Sequence, residues 1–210
     1  MKNTKGFTLI ELLIVVAIIA ILAAIAIPNF LAAQVRAKVS RSKAEMRTLG
    51  TALESYYVDN NAYPRYYWWG LRPTTPTSVR FIPLTTPIAY ITSYPAKDPF
   101  GDPSNMPSGY DTYDYVDEQS IIDLFPNNIN SALAVWGGHT WGRSWRICGA
   151  GPDRWQTYAI SYNGSSYPSP GMPNYYDPSN GTVSNGDIIR FGGTGKLSYG
   201  DKIIGSIQEN

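Results

Sequence analysis

One cysteine and one histidine stand among 210 residues, and charged side chains make up only 16% of the chain. A lone Cys148 cannot close an internal disulfide, so a domain in an oxidising compartment would be held by packing or by a metal. Its thiol reads as a small buried hydrophobe. His139, in GGHTWG, has no second histidine and no cysteine cluster with which to build an ordinary transition-metal site, so a surface or hydrogen-bonded place is expected for it. Seventeen basic against sixteen acidic residues give a net charge of +1, without the basic excess that a nucleic-acid partner requires. Also missing are a serine nucleophile elbow, a phosphate-cradling glycine loop with its lysine, and a histidine pair on a helix. These absences argue against an enzyme.

What is present is divided sharply. The sixteen prolines, nineteen glycines and sixteen tyrosines fall almost wholly after residue 50, whereas the first fifty residues hold most of the long aliphatic runs. Residues 12–27, LLIVVAIIAILAAIAI, are uninterrupted apolar residues. With Phe7 to Ile10 they make a helix of about 21 residues, roughly 30 Å and enough to cross a bilayer core. Lys2 and Lys5 precede it and should stay on the cytoplasmic side. Beyond it Val35, Val39, Met46, Leu49, Leu53 and Tyr57 recur at helical spacing among charged residues, so one helix is expected from Phe7 to Asp59. Pro28 should kink or locally melt it. Glu11 is the anomaly: a lone acid at membrane depth costs about 2.5 kcal/mol or more, so its partner should come from elsewhere.

The stretch KGFTLIELLIVVAIIAILAAIAIPNF resembles the N-terminal processing and assembly segment of type IV pilins and type II secretion pseudopilins. The resemblance implies that a membrane prepilin peptidase cuts after Gly6 and methylates the new amine of Phe7. It implies further that Glu11, fifth in the mature chain, and Pro28, at the helix break, serve assembly into a filament. On that basis Glu11 of one subunit would pair with the Phe7 ammonium of its neighbour, and pairing in low dielectric would reward only the correct axial register. Removal of Lys2 and Lys5 leaves fifteen basic against sixteen acidic side chains, a balance of −1.

Three segments follow: a leader at 1–6, a transmembrane and assembly helix at 7–59, and a globular domain at 60–210. Asp59, Asn60 and Asn61 favour the end of a helix. Asp59 to Pro64, the Gly70-Leu71 pair and PAKDPFG together are similar to the major pseudopilin of type II secretion, with Phe100 in place of a tryptophan. The stretch from Asp102 to Gly142 is longer and more irregular than that family implies. Short strands are expected at Ser144–Cys148, Thr157–Tyr162, Asp187–Phe191 and Lys202–Ile207, from β-branched and aromatic residues between glycine, proline and asparagine. Asn163 to Pro173 reads as a surface loop. The fold class is α+β, a long helix packed on a small antiparallel sheet with long loops.

Two late loops, GAGPDRW at 149–155 and YYDPSNGTVSNGDIIRFG at 175–192, are rich in oxygen donors of the kind calcium takes, six to eight at a time. Asp153, Asp177, Asn180 and Asp187 could serve if the fold joins the loops, and the competing reading is that they satisfy their own turns. The pseudopilin resemblance implies calcium here, with Asp153 and Asp187 as acidic ligands and Ala150 offering its carbonyl; Asp177 and Asn180 are added on chemistry alone. Trp68, Trp69, Trp136, Trp141, Trp145 and Trp155 suit the core of a loop-rich domain or a subunit seam better than a glycan groove.

The resulting expectation is a subunit made in the bacterial inner membrane with its C-terminal domain in the periplasm. It would contact lipid first, then self-assemble into a periplasmic filament with minor pseudopilins on the inner-membrane secretion platform. Force would come from an assembly ATPase. The alternatives are a type IV pilin of a surface fibre, serving adhesion, motility or DNA uptake, and a glycan-binding adhesin on a pilin stem. Absence of a cysteine-bounded loop favours the first reading over a pilin.

Overall fold

The computed structural model describes residues 7–65, 76–93, 95, 97–101, 110–120, 144–155, 176–177, 179, 184, 186–193, 196–199 and 202–206. A single helix, α1 (Leu9–Asn60), runs for 52 residues, about 78 Å at 1.5 Å per residue. From Leu9 to Leu31 its large apolar side chains face outward on every side. No soluble core covers them, and this half is long and apolar enough to cross a membrane. From Val39 onward the helix becomes one-sided: Val39, Ser42, Met46, Leu49, Gly50, Ala52 and Leu53 are buried. Val35 and Tyr57 pack at the edge of the same core. Asn61 stops the helix in the left-handed conformation (φ 50°), its N–H donating to Tyr57 O at 2.8 Å. Asparagine adopts this geometry more readily than most residues.

The helix is continuous through Pro28, so the expected local melting is corrected. Proline removes one N–H, but lateral contacts in a membrane or bundle can keep the neighbouring turns helical. Asn29 Nδ2 adds a bond to Ile25 O at 3.1 Å in the affected turn.

Against the one-sided half lies a three-stranded antiparallel sheet in the order β1 (Asp114–Asp117), β2 (Ser144–Gly149), β3 (Ile188–Gly193). A separate antiparallel pair comprises β4 (Lys196–Tyr199) and β5 (Lys202–Ser206). Expected strands at Ser144–Cys148, Asp187–Phe191 and Lys202–Ile207 are thus found with ends moved by a residue or two. The one expected at Thr157–Tyr162 and the loop at Asn163–Pro173 lie outside the described residues. β1 falls inside the stretch expected to be irregular, and a 3-10 helix at Thr77–Leu84 precedes it.

Strand alternation explains the core. Tyr115, Ile147 and Arg190 are register partners on the face toward α1, as are Asp117, Trp145 and Gly192. Trp145 is wedged between helix and sheet because two glycines make room for it. A Cβ on Gly50 would meet Trp145 Cη2 at 2.8 Å, and one on Gly192 would run into the indole ring itself. Its Nε1–H donates to Glu54 Oε1 at 2.7 Å, while Tyr63 O–H donates to Glu54 Oε2 at 2.9 Å. A second helix acid acts likewise: Glu45 accepts from Tyr113 O–H at 2.6 Å and Arg41 Nε at 2.8 Å.

Loops are pinned by buried and half-buried aspartates. Asp98, within PAKDPFG, accepts from Phe100 N at 3.0 Å, Tyr110 O–H at 2.8 Å and Ala150 N at 2.7 Å. Burial nevertheless lifts its carboxyl above the ordinary aspartate range. Asp111 accepts from Ser78 N and Thr77 Oγ1, each at 2.9 Å, and from Ser78 Oγ at 2.6 Å, capping the 3-10 helix from across the fold. Burial pushes this carboxyl up, but the bonds from Ser78 and Thr77 outweigh it and the net shift is downward. Arg80 pairs with Asp114 and donates to Tyr115 O at 3.2 Å, fastening the same helix to β1.

Candidate functional site

The N-terminal end of α1 carries the first candidate. Thr8 is the N-cap, and Glu11 lies at the third helical position. Glu11 N donates to Thr8 Oγ1 at 3.3 Å, while Thr8 N and Thr8 Oγ1 donate to Glu11 Oε2 at 2.9 and 2.8 Å. This is a capping box, which satisfies two otherwise orphaned backbone donors and sets a carboxylate at the positive end of the helix dipole. The expectation that Glu11 has no partner in its own chain is therefore corrected in part: its oxygens have local donors, although no cation faces its charge among the described residues. The signal was legible as Thr8-Leu9-Ile10-Glu11, a threonine followed three residues later by glutamate at the start of an apolar run. Phe7, adjoining the cap, is exposed, and Gly6 lies outside the described residues.

The second candidate is the loop pair beyond β2 and before β3. Gly151 packs directly on the carbonyl of Gly186, and a side chain there would collide with it. This contact brings loops 150–155 and 186–187 side by side. Asp153 Oδ1 accepts from Trp155 N at 3.2 Å, as in an ordinary turn. Desolvation raises the carboxyl of Asp153, an exposed residue that its own turn crowds. Asp187 is buried and accepts from Cys148 Sγ at 3.5 Å, and its carbonyl accepts from Tyr176 N at 2.8 Å. Burial, then the Asp187 carboxylate, pushes the Cys148 thiol well above its ordinary range. Cys148 is thus buried as expected, with a carboxylate partner that was not. Ala150 is buried with its N–H held by Asp98. Asp177 accepts from Ser179 N, and its own N–H donates to Ser184 Oγ, both at 2.8 Å; Asn180 lies outside the described residues.

Among the described residues no three histidine, cysteine, aspartate or glutamate side chains gather closely enough to hold a metal ion. A calcium ion here would draw part of its oxygens from backbone carbonyls or from residues outside that set. Of the six tryptophans, Trp145 is buried in the core and Trp155 is exposed. Trp68, Trp69, Trp136, Trp141 and also His139 lie outside the described residues.

The structure thus joins an exposed apolar stem with an acidic capping box to a helix half packed on a small antiparallel sheet. Residues 1–27 match the model for the prokaryotic N-terminal methylation motif. The chain is 57% identical over 63 residues to the type IV wide pilus major component PilA4 of Thermus thermophilus, covering 30% of this chain and 48% of that one. It is 41% identical over 63 residues to the type II secretion system core protein G of Pseudomonas aeruginosa, covering 30% and 44%. With the type II secretion system core protein G of Klebsiella michiganensis it shares 31% identity over 105 residues, 48% of this chain and 70% of the relative. The chain belongs to the type IV pilin-like family, which includes both pilins and pseudopilins. Its relatives are structural subunits and not enzymes. The match spans under half the length of the first curated relatives, 48%, 28% and 44% of each. No solved structure matches the chain.

Proposed function

We propose that the chain is a pseudopilin of a type II secretion system, made as an inner-membrane precursor, cut between Gly6 and Phe7, and polymerised through α1 into a periplasmic filament that drives protein export. The observation that carries this reading over a surface pilus is the reach of the similarity. The 105 matched residues of the Klebsiella core protein G exceed the 52 residues of α1, so the likeness enters the globular domain. The type IV pilus component of Thermus thermophilus matches over 63 residues, the major pilin of Myxococcus xanthus over 61 and the Pseudomonas core protein G over 63, so the longer likeness is to the Dickeya and Klebsiella core proteins G. Deleting the gene in its own host should trap normally secreted proteins in the periplasm and leave surface fibres intact. Loss of fibres with export unchanged would assign the chain to a pilus instead.

Glu11 is the proposed assembly residue. Its capping box already holds the carboxylate at the stem's N-terminus, beside the position where cutting after Gly6 creates the Phe7 ammonium. In an incoming subunit the same carboxylate would turn to a neighbour's ammonium and remove an uncompensated charge from low dielectric. Pro28 is proposed to give the stem a place to adjust its axis as copies pack. Glu11→Ala should leave insertion intact and abolish filaments; normal filament yield would refute the pairing.

A calcium tie between loops 150–155 and 186–187 belongs to this reading as a stabilising element. Asp153, Asp187 and the Ala150 carbonyl are its proposed ligands, and Asp177 and Asn180 are further candidates on the chemistry of their oxygens alone. Its support is the Gly151–Gly186 contact.

A further inference from the structure

Charge along α1 is unevenly placed. Between residues 36 and 47 stand Arg36, Lys38, Arg41, Lys43 and Arg47 against Glu45 alone, whereas residues 48–210 hold ten basic and fourteen acidic side chains. All five cations are exposed. We infer that Arg36 and Lys38, the cations nearest the apolar stem, form a collar that binds the phosphates of anionic phospholipids on the periplasmic surface of the membrane. The inference rests on the reading of the exposed apolar stem, Leu9–Leu31, as a span with its N-terminus in the cytoplasm.

Position comes first. The last large apolar residue of the exposed stem is Leu31, and the helix beyond it is unbroken. At 1.5 Å per residue Arg36 stands about 7 Å beyond Leu31 and Lys38 about 10 Å, whereas a headgroup layer is roughly 5–8 Å thick. Side chains on a helix lean toward its N-terminus, which here is the bilayer. Arg36 is already folded that way, its Nε donating to Ala32 O at 3.3 Å, one turn nearer the stem.

Unmet charge comes second. Arg41 is engaged by Glu45 at 2.8 Å. Lys38 and Lys43 lie over the rings of Phe100 and Tyr176 at 5.6 and 5.7 Å, contacts that orient an ammonium without neutralising it. Arg36 and Arg47 meet no carboxylate among the described residues. A guanidinium matches a phosphodiester in a two-pronged geometry, and each cation at an anionic surface strengthens attachment by about fivefold.

Topology gives the collar a consequence. Cations on the outer flank oppose the orientation that Lys2 and Lys5 favour, and cutting after Gly6 removes both lysines. The mature stem would then be held mainly from its periplasmic end, and leaving the membrane for the filament would break those lipid contacts. An acidic surface on a second copy would also complement the charge, but the fold-back of Arg36 toward the stem places it at headgroup level in the unassembled subunit.

The full chain, reconstituted in bilayers of phosphatidylcholine containing spin-labelled phosphatidylglycerol or spin-labelled phosphatidylcholine, tests this. At low salt the labelled phosphatidylglycerol should associate about fivefold or more over phosphatidylcholine. The preference should fall toward parity in Arg36→Gln/Lys38→Gln and in 0.5 M salt, and change little in Arg47→Gln, which lies about 24 Å beyond Leu31. Equal association of the two lipids in the unaltered chain overturns the collar. So does an unchanged preference in the double variant, and if that variant loses filaments instead, the cations belong to the interface between copies. Alkali extraction of the same bilayers keeps the premise separate: a chain that washes out has no span, whereas one that stays without lipid preference lacks only the collar.

Discussion

Trp145 Nε1 donates to Glu54 Oε1 across 2.7 Å, joining the middle strand of the sheet to the helix that carries the assembly stem. Removing the acceptor leaves an indole N–H and the Tyr63 hydroxyl without their carboxylate. Glu54→Ala should therefore cost about 1.5–3 kcal/mol, read as a lower melting temperature of the full chain in detergent. Glu54→Gln retains one acceptor oxygen and should lose less. Equal melting of all three chains would show that the bond contributes nothing.

The same indole explains two glycines. Gly192→Ala forces a methyl group into the Trp145 ring and should destabilise by about 1–3 kcal/mol. In a Trp145→Leu background the penalty should shrink, because the obstruction has gone. An undiminished penalty in that background would mean that backbone freedom, not the close approach, requires glycine there.

Asp111 supplies a pH dependence with a definite sign. Its folded carboxyl titrates below the ordinary aspartate value of 3.8, because hydrogen bonds from Ser78 and Thr77 outweigh the opposing effect of burial. A carboxyl with a lowered folded value contributes stability that is present above the unfolded value and is lost as pH falls through the folded one. Asp111→Ala should melt lower than the unaltered chain from pH 5 to 8, by an amount typical of a lost cap, about 0.5–2 kcal/mol. The gap should begin to narrow below about pH 4 and vanish only as pH falls through the lowered folded value. A gap independent of pH would remove the charge from the account.

Cys148 should behave as an inert thiol. It is buried against Asp187, and both burial and that carboxylate oppose the thiolate. A disulfide reagent at pH 8 should leave it unlabelled in the native chain and react fully in denaturant. Rapid native labelling would show that the sheet face bearing Asp187 opens.

The calcium proposal predicts that a chelator lowers the melting temperature and that added calcium restores it, as mass action requires. Asp153→Ala and Asp187→Ala should each remove the response. Identical melting with and without chelator, with no metal found by elemental analysis, would leave these aspartates as turn and core residues.

The helix was legible almost to the residue, because two unmistakable patterns abut: an unbroken apolar run, and then Val39, Met46, Leu49 and Leu53 at helical spacing. The Thr8–Glu11 capping box was equally local, and a reading centred on charge passed over it. β1 was hidden because Asp-Tyr-Val-Asp is four residues long and bounded by acids, one of which, Asp114, is buried and paired with Arg80 of a distant 3-10 helix. Asp98 stands in the short local motif PAKDPFG, whereas its bonds to Tyr110 and to the Ala150 backbone depend on segments 12 and 52 residues away.

By itself the order of residues determined the stem: its length, its apolar surface, its processing motif and the acid at its head, all properties carried by neighbours within a few helical turns. Only the tertiary structure decided which glycines admit Trp145, which helix acids meet tyrosine and tryptophan, and that Gly151 lies on Gly186. Those contacts join residues far apart in the chain, and their energies exist only once the sheet has closed on the helix and excluded water between them.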